Sequence, residues 1–349
     1  MKTFLITGGA GFIGSNFVMH ILKEYLDAVI INLDKLTYAG NINNLKSVMS
    51  NKNHIFIQGD ICDKDFVENL FSKYDIDYVV NFAAESHVDR SIIDPETFVK
   101  TNVLGTLTLL NASKNSWEKE SGFKEGKKFV QISTDEVYGS LGPSGLFKET
   151  TPLDPHSPYS ASKAAGDMIV KSYFDTYGMP VNITRCSNNY GPFQFPEKLI
   201  PLVINNCLKM ENIPIYGDGL NVRDWLYVID HCRAIELIIK SGKVGQVYNI
   251  GGNNEKTNID IVSTIIKNLN TIDKRISDKL ITYVSDRKGH DKRYGIDAGR
   301  LKDELGWFPE TDFEEGIKKT IKWYLDNINW MENITKGEYR DYYKLMYES

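Results

Sequence analysis

The sequence predicts an α/β fold: a Rossmann-type doubly wound parallel sheet with a smaller, interleaved C-terminal α/β domain. Short apolar and β-branched runs alternate with helix-length segments over the first half of the chain, which is the βαβ rhythm of a parallel sheet. A glycine-rich turn follows the first of these runs and opens the first helical segment. After Gly191 and Pro192 the chain has more turns and isolated elements, which indicates a second domain.

Six strands are predicted in the first half because each run is nearly continuous in apolar residues, as a sheet covered on both faces requires. They are residues 3–7, 28–33, 55–58, 78–82, 129–133 and 181–185. Helices fit the intervals, and the two clearest are residues 13–26 and 160–177. A further core strand is predicted within residues 246–252.

The core strand predicted within residues 246–252 returns to the first domain after part of the second, so the two predicted domains interleave. We expect residues 1–187 plus about 225–252 to form a dinucleotide-binding Rossmann domain. Residues about 188–224 and 253–349 are then left for a substrate-binding domain. The segment 339–347 is too rich in tyrosine for a disordered tail, so we expect it to pack on this second domain.

Composition excludes several classes of protein. The 349 residues are 42% hydrophobic and 25% charged, with a net charge of -5, which argues against sequence-independent binding of nucleic acid. Cys62, Cys186, Cys207 and Cys232 have no metal-ligand spacing, so we expect reduced thiols, no metal and a cytoplasmic location. The absence of a long apolar stretch favours neither membrane insertion nor secretion.

The turn after the first strand has the residues of a dinucleotide-binding site. Gly8, Gly11 and Gly14 let the backbone approach a pyrophosphate, and the following helix offers unpaired N–H groups at its positive end. Asp34 ends the second strand, where a carboxylate accepts hydrogen bonds from an adenosine ribose and repels a 2′-phosphate. NAD is therefore favoured over NADP, although the adjacent Lys35 weakens this argument slightly.

Tyr159 and Lys163 lie one helical turn apart and form the only Tyr-x-x-x-Lys spacing in the chain. An ammonium group near a phenol stabilises the phenolate and lowers its pKa. Tyr159 is thus a candidate base for a substrate hydroxyl as hydride leaves for the nicotinamide, and Lys163 would also hold the nicotinamide ribose. Thr134 supplies a hydroxyl that can orient the same substrate oxygen. Without the glycine-rich turn, this spacing would more often be a surface pair.

Asp135 and Glu136 come directly after a predicted strand, at the sheet edge where ligands of open α/β folds bind. Carboxylates are costly to bury without partners, so two adjacent ones here indicate proton transfer. A simple dehydrogenase does not need them. Opposite roles for the two groups require separated pKa values, which unequal burial can provide. The alternative interpretation is a solvated loop pair or a charge pair at a helix N-terminus.

Six motifs resemble those of the extended short-chain dehydrogenase/reductase superfamily and, within it, the dTDP-glucose 4,6-dehydratase family. The superfamily motifs are TGGAGFIG at 7–14 and the Tyr159/Lys163 pair; the others are DKLTYAGN at 34–41, AAESHVDRS at 83–91, STDEVYG at 133–139 and NVRDW at 221–225. The resemblance spans nearly the whole chain. Asp135 and Glu136 are its most discriminating part, because related epimerases usually have small residues there.

The resemblance implies an NAD-dependent enzyme that converts dTDP-glucose to dTDP-4-keto-6-deoxyglucose and water, in dTDP-rhamnose or other deoxysugar biosynthesis. Oxidation at C4, with Tyr159 as base, would acidify the C5 hydrogen. Glu136 would then remove the C5 proton while Asp135 protonates the departing C6 hydroxyl. The hydride would finally return to C6, so NAD would stay bound through the turnover.

The resemblance also implies a homodimer, through helices over 95–116 and 159–177, and a set of binding residues. Lys288 departs from the family, which commonly has proline at that position of the DRKGH stretch at 286–290. The expected cofactor contacts are Gly8, Gly11, Phe12, Ile13, Gly14, Asp34, Lys35, Thr37, Asp60, Ile61, Ala83, Ala84, Ser86, Thr101, Tyr159, Lys163 and Asn189. The expected substrate contacts are Ser86, Thr134, Asp135, Glu136, Asn188, Lys198, Leu199, Pro214, Ile215, Tyr216, Arg223, Asn258, Arg287, His290 and Tyr347.

Two alternative functions fit part of this pattern. A nucleotide-sugar 4-epimerase or decarboxylase on the same scaffold would use Tyr159 and Lys163 but not the two carboxylates. In a non-catalytic NAD-binding regulator, Thr134 and Tyr159 would have no catalytic role. The residues do not distinguish dTDP from UDP or GDP, so the nucleotide rests on the overall resemblance.

Overall fold

A seven-stranded parallel sheet forms the centre of the computed structural model, which describes residues 2–336 and Tyr343. The strands are β1 (Thr3–Thr7), β2 (Val29–Asp34), β3 (His54–Gln58), β4 (Tyr78–Asn81), β5 (Glu118–Lys119), β6 (Gly122–Phe123), β7 (Lys128–Thr134), β8 (Val181–Cys186), β9 (Asn188–Tyr190), β10 (Ile213–Tyr216), β11 (Val222–Tyr227), β12 (Val247–Ile250), β13 (Glu255–Thr257) and β14 (Ile281–Val284). The central sheet has the order β3-β2-β1-β4-β7-β8-β12, and all its neighbours pair in parallel. The predicted doubly wound fold is confirmed.

Helices cover both faces of this sheet. The helices are α1 (Phe12–Glu24), α2 (Lys64–Lys73), α3 (Val88–Ile93), α4 (Pro95–Val99), α5 (Thr106–Trp117), α6 (Pro158–Tyr177), α7 (Leu199–Lys209), α8 (Val228–Ser241), α9 (Asn258–Asn270), α10 (Gly299–Leu305), α11 (Phe313–Asp326) and α12 (Ile328–Ile334). One face is buried by α1, α8 and α10, and the other by α2, α5 and α6. The strands are therefore apolar on both sides, which explains their nearly continuous hydrophobic runs.

The observed strand ends differ by at most one residue from the six predicted in the first half. Helix α6 begins at Pro158, two residues before the predicted start, because Ser157 and Ser160 form a capping box and proline suits the first helical position. A π-helical turn over Lys100–Gly105 interrupts the helix expected over 95–116. Thr101 lies in that turn.

Apart from α8, β12 and α10, the elements after β8 build a second layer of structure beyond the carboxyl edge of the sheet. Here β9, β11 and β13 form a three-stranded sheet and β10 pairs with β14. Their core is packed by α7, α9, α11 and α12 around Tyr190 and Trp225. The predicted domain boundaries stay a prediction.

The C-terminal segment 339–347 lies outside the described residues except for Tyr343, whose hydroxyl accepts a 2.9 Å hydrogen bond from Asn206. Its predicted packing is therefore visible at that one side chain only. Within residues 2–336 and 343, no helix is both long and apolar enough to span a bilayer.

Candidate active site

The glycine-rich turn lies between β1 and α1, where close backbone packing leaves no room for side chains. A Cβ at Gly14 would lie 2.2 Å from the carbonyl oxygen of Gly8. Gly8 has φ +70°, and a Cβ there would lie 2.7 Å from the amide nitrogen of Ala83. The strand order reverses next to β1, which is where open α/β sheets bind ligands. The turn thus presents bare backbone and the positive end of α1 to this crevice.

Asp34 ends β2 and faces the same turn. Its carboxylate accepts 2.8 Å hydrogen bonds from the backbone amides of Ala10 and Leu36. Burial raises the pKa of Asp34, and these two bonds oppose the rise. Lys35 pairs with Asp60 at 2.8 Å, so its charge is balanced by a neighbouring carboxylate. Because Asp60 balances the charge of Lys35, the carboxylate of Asp34 remains the main charged group at this end of the crevice.

A cavity of about 300 Å³ extends from the glycine turn to the end of β7; we call it the first cavity. It is lined by every expected cofactor contact and by the five expected catalytic residues. These are Gly8, Gly11, Phe12, Ile13, Gly14, Asp34, Lys35, Thr37, Asp60, Ile61, Ala83, Ala84, Ser86, Thr101, Thr134, Asp135, Glu136, Tyr159, Lys163 and Asn189.

A second cavity of about 160 Å³ adjoins the first. Both are lined by Glu136, Asn188, Gln194, Glu197 and Lys198, so the two spaces meet at these side chains. The second cavity collects the remaining expected substrate contacts. They are Leu199, Pro214, Ile215, Tyr216, Arg223, Asn258, Arg287 and His290. Tyr347, the other expected contact, lies outside the described residues.

The pair Tyr159 and Lys163 lies on the first turns of α6, facing the end of β7. Both side chains are buried. The Tyr159 backbone amide donates to the Ser91 hydroxyl at 3.1 Å, and its ring meets Phe98 edge to face. The Lys163 ammonium donates to the Ile132 carbonyl at 2.6 Å. These contacts fix both groups on the wall of the first cavity.

The pKa of Tyr159 differs from the sequence prediction. Lys163 was expected to lower it, but burial raises it well above the usual value, and the nearby Glu136 carboxylate raises it further. Burial also lowers the pKa of Lys163 while Asp167 opposes that change. The expected lowering is therefore wrong for the protein alone, because burial and the Glu136 carboxylate outweigh Lys163, whose ammonium donates to a backbone carbonyl.

Asp135 and Glu136 begin a 3-10 turn that follows β7 immediately. Thr134 caps this turn by accepting a 3.3 Å hydrogen bond from the Glu136 amide. The Asp135 side chain is almost fully buried, whereas Glu136 is only part-buried and lines both cavities. Burial raises the pKa of Asp135 well above the usual value, the charges of Glu136 and Asp224 add to this, and Arg223 opposes it. Asp135 is thus suited to hold a proton.

The second cavity carries buried positive charge. Arg223 is only 5% exposed, donates to the Asp291 carbonyl at 2.9 Å and lies over the Tyr294 ring at 4.2 Å. Arg287 lies 3.9 Å from Asp89. Burial lowers the pKa of His290 to about 4, so at neutral pH this imidazole is a neutral donor and not a cation. Among the described residues, no cluster of His, Cys, Asp and Glu could hold a metal ion.

Several cavity-lining residues were missed from the sequence. They include Glu85, Cys186, Ser187, Phe195 and Glu197 in the first cavity and Asp89, Trp225 and Tyr294 in the second. Cys186 was interpreted only as a thiol, and burial raises its pKa to about 12. One signal was available: Gln194–Glu197 directly precede the expected contacts Lys198 and Leu199. Glu85, Asp89 and Trp225 also lie inside the motifs at 83–91 and 221–225, whereas Cys186, Ser187 and Tyr294 reach the cavities without such a signal.

Comparisons with known proteins find close relatives among the nucleotide-sugar 4,6-dehydratases. A family model described as GDP-mannose 4,6 dehydratase matches residues 5–320. A dTDP-glucose 4,6-dehydratase of Xanthomonas campestris pv. campestris strain B100 is 52% identical, over 97% of this chain and 98% of the relative. The crystal structure of the Bacillus anthracis dTDP-glucose 4,6-dehydratase with NAD has 49% identity and a TM-score of 0.87, covering 96% of this chain and 100% of that one. The Streptomyces venezuelae dTDP-glucose 4,6-dehydratase, also with NAD, has 44% identity and a TM-score of 0.88, covering 95% and 100%.

The raised pKa of Asp135 predicts a pH-dependent stability. The folded chain keeps this proton at pH values where the unfolded chain has released it, so wild-type stability falls as pH rises above the ordinary aspartate pKa. Asp135→Asn should therefore become more stable relative to wild type as pH increases from 4 to 8, as measured by urea unfolding. The exposed Asp303→Asn is the matched control. If the free energies of unfolding of Asp135→Asn and wild type changed with pH in parallel, the raised pKa of Asp135 would be contradicted.

Proposed function

The chain belongs to the dTDP-glucose 4,6-dehydratases, and we propose that it converts dTDP-glucose to dTDP-4-keto-6-deoxyglucose and water with NAD as its cofactor. The observation that carries this proposal is the placement of Asp135 and Glu136 on the wall that also holds Tyr159 and Lys163. A 4-epimerase would need only the second pair.

The first cavity fits a dinucleotide. The bare backbone of Gly8 and Gly14 admits a pyrophosphate, and α1 directs its N-terminal amides there. Asp34 suits a ribose with a free 2′-hydroxyl, since each oxygen that accepts a backbone amide keeps a second lone pair. Lys35 is already paired with Asp60, which favours NAD over a 2′-phosphorylated cofactor. Bound NAD supplies a reversible hydride acceptor.

Tyr159 begins the chemistry as the base at the C4 hydroxyl, with Thr134 orienting that oxygen. A buried phenol of raised pKa is a poor base, so ionisation depends on positive charge arriving nearby. Lys163 is already in place, so the added positive charge would come from the oxidised nicotinamide ring. Loss of the hydroxyl proton to Tyr159 and of the C4 hydride leaves a ketone that acidifies the C5 hydrogen.

The two carboxyl groups then divide the elimination. Glu136, which is part-buried and lies where the cavities meet, takes the C5 proton. Asp135, kept protonated by burial, donates to the leaving C6 hydroxyl, which departs as water. Glu136 returns its proton to C5 as hydride returns to C6. Tyr159 then holds one extra proton and Asp135 lacks one, so exchange with solvent resets the site.

The second cavity holds the nucleoside diphosphate in this proposal. Arg223, Arg287 and Lys198 give charge-assisted hydrogen bonds suited to phosphate oxygens. Tyr216 offers an aromatic face for the base. Neutral His290 lines the same space and donates its single N–H through Nδ1 to Asp286, which fixes the position of its ring. The dTDP nucleotide is assigned through the relatives.

We include a homodimer in the proposal. Large apolar side chains are exposed together on α3, α4, the π-helical turn and α6, and α3 and α4 pack beside α6. The exposed fractions are 62% for Ile93, 50% for Val99, 52% for Leu104 and 65% for Met168. Large exposed apolar side chains on helices that pack together are typical of an interface. A second copy of the chain is the proposed partner.

A cytoplasmic location is also proposed. All four cysteines carry free thiols, three of them buried. Free thiols are typical of a reducing compartment.

Incubation with a panel of nucleotide sugars tests the function. We expect dTDP-glucose to give a 4-keto-6-deoxy product, identified by mass and NMR, without net formation of NADH. UDP-glucose and GDP-mannose should react more slowly. A galactose epimer would instead support the 4-epimerase alternative, and no turnover on any sugar would support a non-catalytic NAD-binding protein.

Glu136→Gln tests the role of the base. The amide keeps the shape of the side chain but cannot take a proton, so exchange of the C5 hydrogen with deuterated solvent should fall by about 100-fold or more. NAD content should match wild type, since Glu136 is no cofactor ligand in the proposal. Wild-type exchange in a folded Glu136→Gln enzyme would exclude it as the base.

Met168→Asp tests the dimer. A charge at this exposed apolar position should yield a monomer by sedimentation equilibrium, whereas wild type should be a dimer. Leu26→Asp is the control, because Leu26 is 85% exposed and lies away from these helices. A monomeric wild-type protein, or a Met168→Asp dimer as tight as wild type, would refute this interface.

A further inference from the structure

We propose that Tyr38, Arg90 and Glu197 form a clasp that retains the bound dinucleotide by holding residues 194–198 over the first cavity. The inference rests on the proposed binding of NAD in that cavity. It concerns a step that the catalytic residues do not explain, namely how the cofactor stays bound throughout the reaction.

The segment that is held belongs to the wall of the cofactor space. Phe195 lines the first cavity, and Gln194, Glu197 and Lys198 line both cavities. This stretch leads from β9 into α7, outside the central sheet. If it moved outward, the first cavity would lose one of its sides.

Three distant parts of the sequence meet at the clasp. Tyr38 comes from the loop after β2, whose neighbours Thr37 and Ala39 line the first cavity. The Arg90 guanidinium, on α3, stacks 3.8 Å from the centre of the Tyr38 ring. Arg90 Nε donates to Glu197 Oε2 at 3.2 Å. The clasp therefore connects the cofactor loop to the wall segment.

A second contact reinforces the same connection. The Phe195 ring meets the Tyr38 ring edge to face, with centroids 5.8 Å apart. Lys198, at the end of the segment, donates to the Ser86 carbonyl at 3.0 Å, and Ser86 itself lines the first cavity. The segment is thus attached to the loops after β2 and β4.

The burial of Glu197 shows what the clasp restrains. Its side chain is only 2% exposed, against 27% for Arg90. A carboxylate at this depth is costly unless cations compensate it: burial raises the pKa of Glu197, and Lys198 and Arg90 oppose the rise by favouring the ionised form. Without Arg90, much of that compensation is lost, and movement of Glu197 toward water becomes more favourable. The segment would then open.

The other end of the segment is anchored independently. Asn16 donates to the Pro192 carbonyl at 3.0 Å, and the Tyr324 hydroxyl donates to the Gln194 carbonyl at 2.7 Å. Phe193, in the left-handed region at φ +68°, packs against Trp323 and Trp330. The segment is therefore fixed to the body of the protein before residue 194 and continues into the buried helix α7 after residue 198, and the clasp holds the part between.

Retention has a chemical purpose in the proposed reaction. The same cofactor molecule that removes hydride from C4 must return it to C6. Loss of the reduced cofactor between these steps would strand an unsaturated ketone in the site. A clasp that slows dissociation prevents this without taking part in bond making.

The test measures cofactor release directly. Holoenzyme is diluted into excess isotopically labelled NAD, and exchange of bound for labelled NAD is followed by mass spectrometry. Arg90→Gln should release NAD at least tenfold faster than wild type, which corresponds to about 1.4 kcal/mol. Arg275→Gln is the matched control: its ion pair with Asp273 lies on the surface and lines neither cavity, so release should be unchanged.

A charge-rescue variant separates the clasp from simple loss of structure. Neutralising the buried carboxylate in Arg90→Gln/Glu197→Gln should slow release again relative to Arg90→Gln, because no uncompensated charge remains. Arg90→Lys keeps the charge but loses the planar stack on Tyr38, so it should fall between Arg90→Gln and wild type. Thermal unfolding checks that each variant is folded.

Two outcomes distinguish the clasp from the proposed function. Wild-type release rates in folded Arg90→Gln or Arg90→Lys would overturn the clasp while leaving NAD binding intact. A wild-type protein that neither carries nor binds NAD would overturn the proposed function, and the clasp with it.

Discussion

Burial of the Asp135 carboxyl group at the carboxyl edge of the central sheet is the constraint on which the site depends. The group follows β7 directly and has little contact with water, so it favours its protonated form. Arg223, from the second layer of the molecule, is the cation that opposes this. Burial favours the protonated form of Asp135 more than Arg223 favours its ionised form. One short turn can therefore carry an acid at Asp135 and a base at Glu136.

The two cavities depend on each other because they share lining residues. Glu136, Asn188, Glu197 and Lys198 line both, so substrate and cofactor would share walls and charges. Glu197 illustrates the consequence: its carboxylate is stabilised by Arg90 on one side and Lys198 on the other. Changes at Glu197 or Lys198 should therefore affect both ligands, whereas changes at Asp34 or Tyr216 should affect one.

The sequence was sufficient for the sheet because its strands are buried on both faces and their residues are nearly all apolar. It also located Gly14, Tyr159 and Lys163, since backbone clearance and helical spacing are local properties. Cys186 and Tyr294 were missed because their positions in the cavity walls depend on contacts between distant segments. The pKa of Tyr159 was predicted in the wrong direction because burial and the carboxylate at Glu136 outweigh the nearby ammonium, and spacing does not report burial.

The central claim is that hydride removed from C4 returns to the same sugar while the cofactor stays in place. Turnover of dTDP-glucose carrying deuterium at C4, with the product analysed by NMR, tests it most directly. The account predicts that the deuterium appears at C6 of the 4-keto-6-deoxy product and does not depend on unlabelled NAD added to the solution. Hydrogen at C6 derived from solvent, or dilution of the label by added NADH, would contradict it.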